Sequence, residues 1–137
     1  MDVTKIPFVE KVGIVRKSDG GLELPIIESV HNHLQTIHAS AQFALAETAS
    51  GEVLQTLFPD LVGKVIPVLR DSNIKFKKPA QNAITTHPSV TDESISKFKE
   101  QFAKKGRSSI SVNVEVKDHA GVITSVGVFN WFVQSVD

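Results

Sequence analysis

Ala39-Ser40-Ala41-Gln42-Phe43-Ala44-Leu45-Ala46-Glu47-Thr48-Ala49-Ser50-Gly51-Glu52-Val53-Leu54-Gln55-Thr56-Leu57 is the stretch whose reading decides the fold. It predicts one long helix, beginning near His38 or Ala39 and stopped by Phe58-Pro59-Asp60. Nineteen residues at about 1.5 Å each give a rod of roughly 28 Å, enough to cross a small domain. Small side chains at Ala39, Ser40, Ala41, Ala44, Ala46, Ala49, Ser50 and Gly51 let other elements approach closely. Phe43, Leu45, Val53 and Leu54 spread over more than one face, so the helix is expected to be enclosed rather than laid on a surface. Into its most apolar part the sequence sets one carboxylate, Glu47. Ionised carboxylates are expensive to bury, so this one is a candidate functional group.

Outward from that helix the pattern is mostly strands. Ile14–Lys17 and Leu22–Ile27 flank the turn Ser18-Asp19-Gly20-Gly21 and predict a hairpin, preceded by a short helix within residues 4–12. Lys64–Lys78 reads as an extended segment ended by Pro79. A second helix is expected over Asp92–Lys105, where Ile95, Phe98 and Phe102 form the apolar stripe, acids open it and lysines close it before Gly106. Ile110, Val112, Val114 and Val116 then alternate with polar residues, the period of a half-buried strand. The turn Asp118-His119-Ala120-Gly121 leads into a last strand, Val122–Gln134. Strands, a buried helix and more strands predict an α+β domain, an antiparallel sheet wrapped around a long central helix, with residues 1–137 forming a single domain.

The bulk properties narrow the function. The chain has 137 residues, 41% hydrophobic and 22% charged, and its 15 Lys and Arg balance 15 Asp and Glu. No global field favours nucleic acid or an anionic membrane, and no apolar run reaches the length of a span. Absence of cysteine excludes a disulfide framework, a thiolate zinc site and a cysteine nucleophile. The N-terminus lacks the pattern of a signal peptide, so a cytoplasmic location is the default expectation.

Three further features lie just before the helix. His31, His33 and His38 have a spacing that raises the question of a metal, but no cysteine accompanies them and Glu47 is the only nearby acid on the helix, so no metal is expected. Asn32 carries an amide able to donate and accept. The His38-Ala39-Ser40 step falls where unpaired N–H groups of the helix start can polarise a carbonyl or hold an oxyanion, or simply be capped by Thr36 or His38.

Asn32, Thr36, His38, Leu45 and Glu47, followed by Asp71–Ala80 with its Pro-Ala end, resemble the signature of the hotdog-fold thioesterases, in particular the phenylacetate-pathway-like and 4-hydroxybenzoyl-CoA thioesterase-like enzymes and a poorly characterised branch beside them. The resemblance covers residues 14–134, with the helix 92–105 looking like an insertion. It implies a hotdog fold and an acyl-CoA thioesterase-like hydrolase that works without a cofactor at a subunit interface, hence a homodimer or homotetramer. It further implies that Glu47 is base or nucleophile, that the Ala39 amide polarises the thioester carbonyl, and that Asn32 orients the reacting groups. His38, Ser40, Gln35 and Arg70 are implied to meet the substrate. Gln35, Ala39 and Ser40 stand where the family signature has glycine. That departure keeps a second expectation open, a hotdog module that binds acyl-CoA or a lipid-like ligand without hydrolysing it. A dehydratase of the same fold fits less well, because those enzymes use a different His and acid motif.

Overall fold

The computed structural model describes residues 1–137. Six strands form one antiparallel sheet: β1 (Val15–Arg16), β2 (Leu22–Leu24), β3 (Val65–Phe76), β4 (Ile84–Ser89), β5 (Arg107–Lys117) and β6 (Ile123–Ser135), in the order β1-β2-β4-β5-β6-β3. Three helices accompany it: α1 (Pro7–Val12), α2 (Ala39–Leu57) and α3 (Asp92–Lys105). The sheet curves around α2, whose Ala41, Ala44, Leu45, Ala46, Ala49 and Leu54 are buried. Facing them are Ile110, Val112, Val114 and Val116 of β5 and Phe129, Trp131 and Val133 of β6, all buried. Their alternation with exposed residues along β5 is the period expected of a strand with one wet face.

Two glycines set how closely these layers approach. A side chain on Gly51 of α2 would place its Cβ 3.1 Å from Cζ2 of Trp131. Gly127 of β6 yields its space to the Phe129 ring, which would lie 2.8 Å from an added Cβ. The Trp131 indole also donates from Nε1 to Ser50 Oγ at 2.9 Å. Ser50 Oγ in turn donates to the Glu47 carbonyl at 2.7 Å. One aromatic residue of the sheet thus pins the helical turn that carries Glu47.

Helix α3 is built as its sequence predicts. Thr91 caps it, accepting from Ser94 N at 3.1 Å. Asp92 and Glu93 lie in its first turn, Lys104 and Lys105 in its last, and Gly106 follows in the left-handed conformation. It connects β4 to β5 and packs through Phe98, whose ring lies 4.5 Å from that of Phe58 just past α2.

The expected elements shift mainly at their ends. The N-terminal helix divides into a 3-10 turn, Val3–Lys5, and α1, because Pro7 starts a new helix at its first position. The hairpin strands shorten to β1 and β2, the second ending before Pro25. Strand β4 carries no sequence signal: only Ile84 in Ile84-Thr85-Thr86-His87-Pro88-Ser89 is apolar and buried. Pro88 is tolerated because β2 pairs only with Ile84 and Thr85, leaving that end of β4 unpaired on one side.

The two sheet edges differ. Strand β1 is 2 residues long. Strand β3, at the other edge, is 12 residues long and largely exposed, with Ile66 57% and Val68 47% accessible.

Gln42 is an exception within the core. It is only 4% exposed on α2, and its Oε1 has no hydrogen-bond partner. Replacing it with the similarly sized apolar Met should raise stability by about 1 kcal/mol, since an unsatisfied buried acceptor costs roughly 1–3 kcal/mol. Urea unfolding of Gln42→Met against wild type checks this, and a loss of stability sinks it.

Candidate functional site

The approach to α2 is a tight loop closed by Asn32. Its Oδ1 accepts from Leu34 N at 2.9 Å and from Thr36 N at 3.0 Å. Its Nδ2 donates to Thr36 Oγ1 at 2.8 Å. The backbone N–H of Asn32 donates to the Thr36 carbonyl at 2.8 Å, and His31 pairs with Ile37 across the loop. This closure puts Gln35 at φ 59°, the only non-glycine residue with positive φ. Left-handed backbone at a residue with a Cβ costs about 1–2 kcal/mol.

His38 is the N-cap of α2: its Nδ1 accepts from Ser40 N at 2.9 Å. The N–H of Ala39, the first helical residue, finds no acceptor in the chain. His38, Ala39 and Ser40 are all exposed, so this amide and the positive end of the helix dipole are open to a ligand.

Glu47 lies further along α2. It is half-buried, and its carboxylate has no hydrogen-bond or ion-pair partner in the chain. Burial alone pushes its carboxyl above the ordinary value of 4.5. It opens onto a cavity of about 590 Å³. The floor of this cavity is α2, from Glu47 and Thr48 through Gly51, Leu54 and Gln55 to Phe58. Val3, Ile6, Phe8 and Val9 cover it, and Val65, Pro67, Trp131 and Val133 form the sheet side. Glu47 is the only ionisable side chain in the lining.

The structure therefore splits the sequence-predicted residues into three places. Asn32, Gln35, His38, Ala39 and Ser40 cluster at the start of α2. Glu47 is 8 residues beyond Ala39, or roughly 12 Å along the helix axis. Arg70 is the extra residue where the β3–β6 register shifts between Leu69 and Asp71. Its guanidinium sits 4.4 Å from the ring centroid of Phe132, a residue that alternates with the inward-facing Trp131 and Val133 and so lies on the far face of the sheet from α2. Beside it Asp71, Asn130 and Ser111 form a hydrogen-bonded row across three strands. No three His, Asp or Glu side chains converge anywhere in the chain.

Sequence reasoning missed the cover contributed by residues 3–9 and the sheet side of the cavity. The cover carries no motif and is defined only by what it packs against. Trp131 was the one available signal, being the single tryptophan of the chain.

The comparisons with known proteins agree with this architecture. The family model described as "Domain of unknown function (DUF4442)" matches residues 4–133. No curated protein matches the sequence. Among solved structures, a protein of unknown function from Pseudomonas aeruginosa, PA5026, described as a probable thioesterase, superposes with a TM-score of 0.82 at 21% identity, covering 97% of this chain and 91% of that one. The BH2602 protein from Bacillus halodurans, solved with CoA, has a TM-score of 0.70 at 25% identity over 92% of this chain and 74% of its own. Thioesterase HI1161 from Haemophilus influenzae has a TM-score of 0.76 at 15% identity, covering 98% and 87%. The antiparallel sheet wrapped around α2 is the hotdog fold. No helix is long and apolar enough to cross a membrane.

Two outcomes follow from the geometry. Asn32→Ala opens the loop and should destabilise the chain by about 1–3 kcal/mol, while Gln35→Gly, relieving the left-handed strain, should be neutral or stabilising; chemical denaturation separates the two. Glu47 gives a pH signature with a defined sign. Its folded value is raised, so stability is full below the ordinary 4.5 and declines as pH climbs toward the raised value, where the unfolded chain ionises first. The melting temperature of Glu47→Gln relative to wild type should therefore increase between about pH 4 and pH 7, by on the order of a few degrees. A difference that stays flat or reverses contradicts the burial argument.

Proposed function

We propose that this chain, which belongs to the family described as Domain of unknown function (DUF4442), is an acyl-CoA thioesterase-like hydrolase whose sites are shared between two subunits. The observation that carries the reading is Glu47: a half-buried carboxylate, unpartnered, in the wall of an apolar cavity. A carboxylate whose proton affinity is raised by burial is suited to take a proton from water at neutral pH. In the proposed reaction Glu47 draws a proton from a water that attacks the thioester carbonyl. The C–S bond then breaks, and the thiolate leaves as the thiol after taking the proton back from Glu47, which regenerates the carboxylate. Direct attack by Glu47, giving an anhydride that water hydrolyses, uses the same geometry. The free N–H of Ala39 at the helix start polarises the carbonyl oxygen.

One carbonyl cannot lie within about 3 Å of both groups when they are roughly 12 Å apart along one helix. The amide therefore comes from the partner subunit's Ala39. The exposed edge of β3 supports such an arrangement, because it is long and free to pair, with apolar Ile66 and Val68 beside it. The CoA in the BH2602 structure supports the choice of carrier. Asn32 acts mainly by holding the loop that presents the amide, with one Nδ2 hydrogen left for substrate or water.

A second reading, a non-hydrolysing hotdog module for acyl-CoA or a lipid-like ligand, is favoured by the residues at the expected glycine positions. Gln35 is strained, and the Cβ atoms of Ala39 and Ser40 narrow the approach to the amide.

Thiol release from acyl-CoA decides between them. Glu47→Gln and Glu47→Ala should lose about 10²-fold or more in kcat while still binding substrate. The wild-type kcat should rise with pH through an apparent value above 4.5. Full activity in Glu47→Gln refutes the assignment. An inert wild type that binds acyl-CoA favours the binding module. Sedimentation should give a dimer or tetramer, and a monomer with full activity removes the shared site.

A further inference from the structure

We infer that the cavity beside Glu47 is a channel for an unsubstituted aliphatic acyl chain of about twelve carbons, covered by the N-terminal segment; the inference rests on the acyl-thioester reading of the same site. Its floor runs from Glu47 to Phe58 at the end of α2, eleven residue steps or roughly 16 Å, the extended length of about a dozen carbons. Glu47 lies at one end of this floor, so a carbonyl placed beside it sends its chain toward Phe58, Leu61 and Val62. Beyond Glu47 no lining side chain is charged. The one cation among the lining residues, the Met1 amino group, is held by Gln55 Oε1 at 2.7 Å, so the remaining wall offers an acyl chain apolar contact.

The cover is as apolar as the floor. Val3, Ile6 and Val9 turn inward, while Phe8 stays 66% exposed at the lip. Phe8 thereby adds an apolar ring to the lip of the cavity, where an entering alkyl chain would meet it. The gap between α2 and its cover is therefore read as a chain-binding space, bounded at the far end by Val62, itself 45% exposed and open to substitution.

The test measures binding with S-alkyl-CoA thioethers, which cannot be hydrolysed, alongside thiol release from the matching acyl-CoA esters. Burial of each methylene is worth about fourfold in affinity at best, so dodecyl-CoA should bind at least a hundredfold more tightly than butyl-CoA. Val62→Trp should shorten the channel and narrow that ratio tenfold or more. Phe8→Ser, a change at an exposed position that spares folding, should weaken dodecyl-CoA severalfold and butyl-CoA little. Equal affinity for the two thioethers, or a ratio untouched by both variants, overturns the inference, even if esters of every length are hydrolysed. A steep ratio that both variants reduce, with no ester hydrolysed, upholds the channel and removes the hydrolase reading instead.

Discussion

Gly51 has no side chain, and the ring of Trp131 fills the space that one would occupy, with Cζ2 3.1 Å from where a Cβ would stand. A mid-helix glycine is unfavourable by about 1 kcal/mol relative to alanine, so its presence marks a place where closeness matters more than propensity. From this contact the surrounding geometry follows. The indole nitrogen holds Ser50, Ser50 holds the carbonyl of Glu47, and the turn carrying the carboxylate is fixed against the sheet. The same flank of α2, from Glu47 toward Phe58, lines the cavity between the sheet and the N-terminal segment that roofs it. The same residue that closes the core thus borders the cavity.

The carboxylate and the cavity oppose each other energetically. An apolar surround suits an apolar ligand, yet it raises the free energy of the ionised Glu47 and offers it nothing to bond with. A fold selected for stability alone has no reason to keep this arrangement. At the helix start the reverse holds. Asn32 and His38 hold the loop and the cap through their side chains, while the backbone amide of Ala39 at the helix start is left without an acceptor and exposed.

What could be read from the sequence was what is encoded locally. Helix α2 shows in its run of small and apolar residues, α3 in its caps and charges, and β5 in its strict alternation, and all three appear within a few residues of the expected limits. Strand β4 was illegible because Thr85, Thr86, His87 and Pro88 pair by backbone alone, in a register set by β5 rather than by their side chains. At the site, Glu47 stood out because a charge in an apolar helix is a local anomaly. The channel did not, since Val3, Ile6 and Val65 look like any core residues until the chain brings them over α2. Arg70 illustrates another limit. A one-residue bulge places it on Phe132, and sequence spacing cannot show a bulge.

The inequality of the two sheet edges bears on how many copies can join. A sheet with two long open edges can add strand to strand without end, which is how fibrils grow. Here one edge is reduced to β1, which has 2 residues, while β3 at the other has 12, and includes Pro67, which has no amide hydrogen to offer a neighbour. If two β3 strands meet about a two-fold axis, each uses up the other's free edge, and what remains outside is the stub of β1. Growth of the sheet then stops at two chains, so that the asymmetry of its edges would limit the sheet as well as extend it.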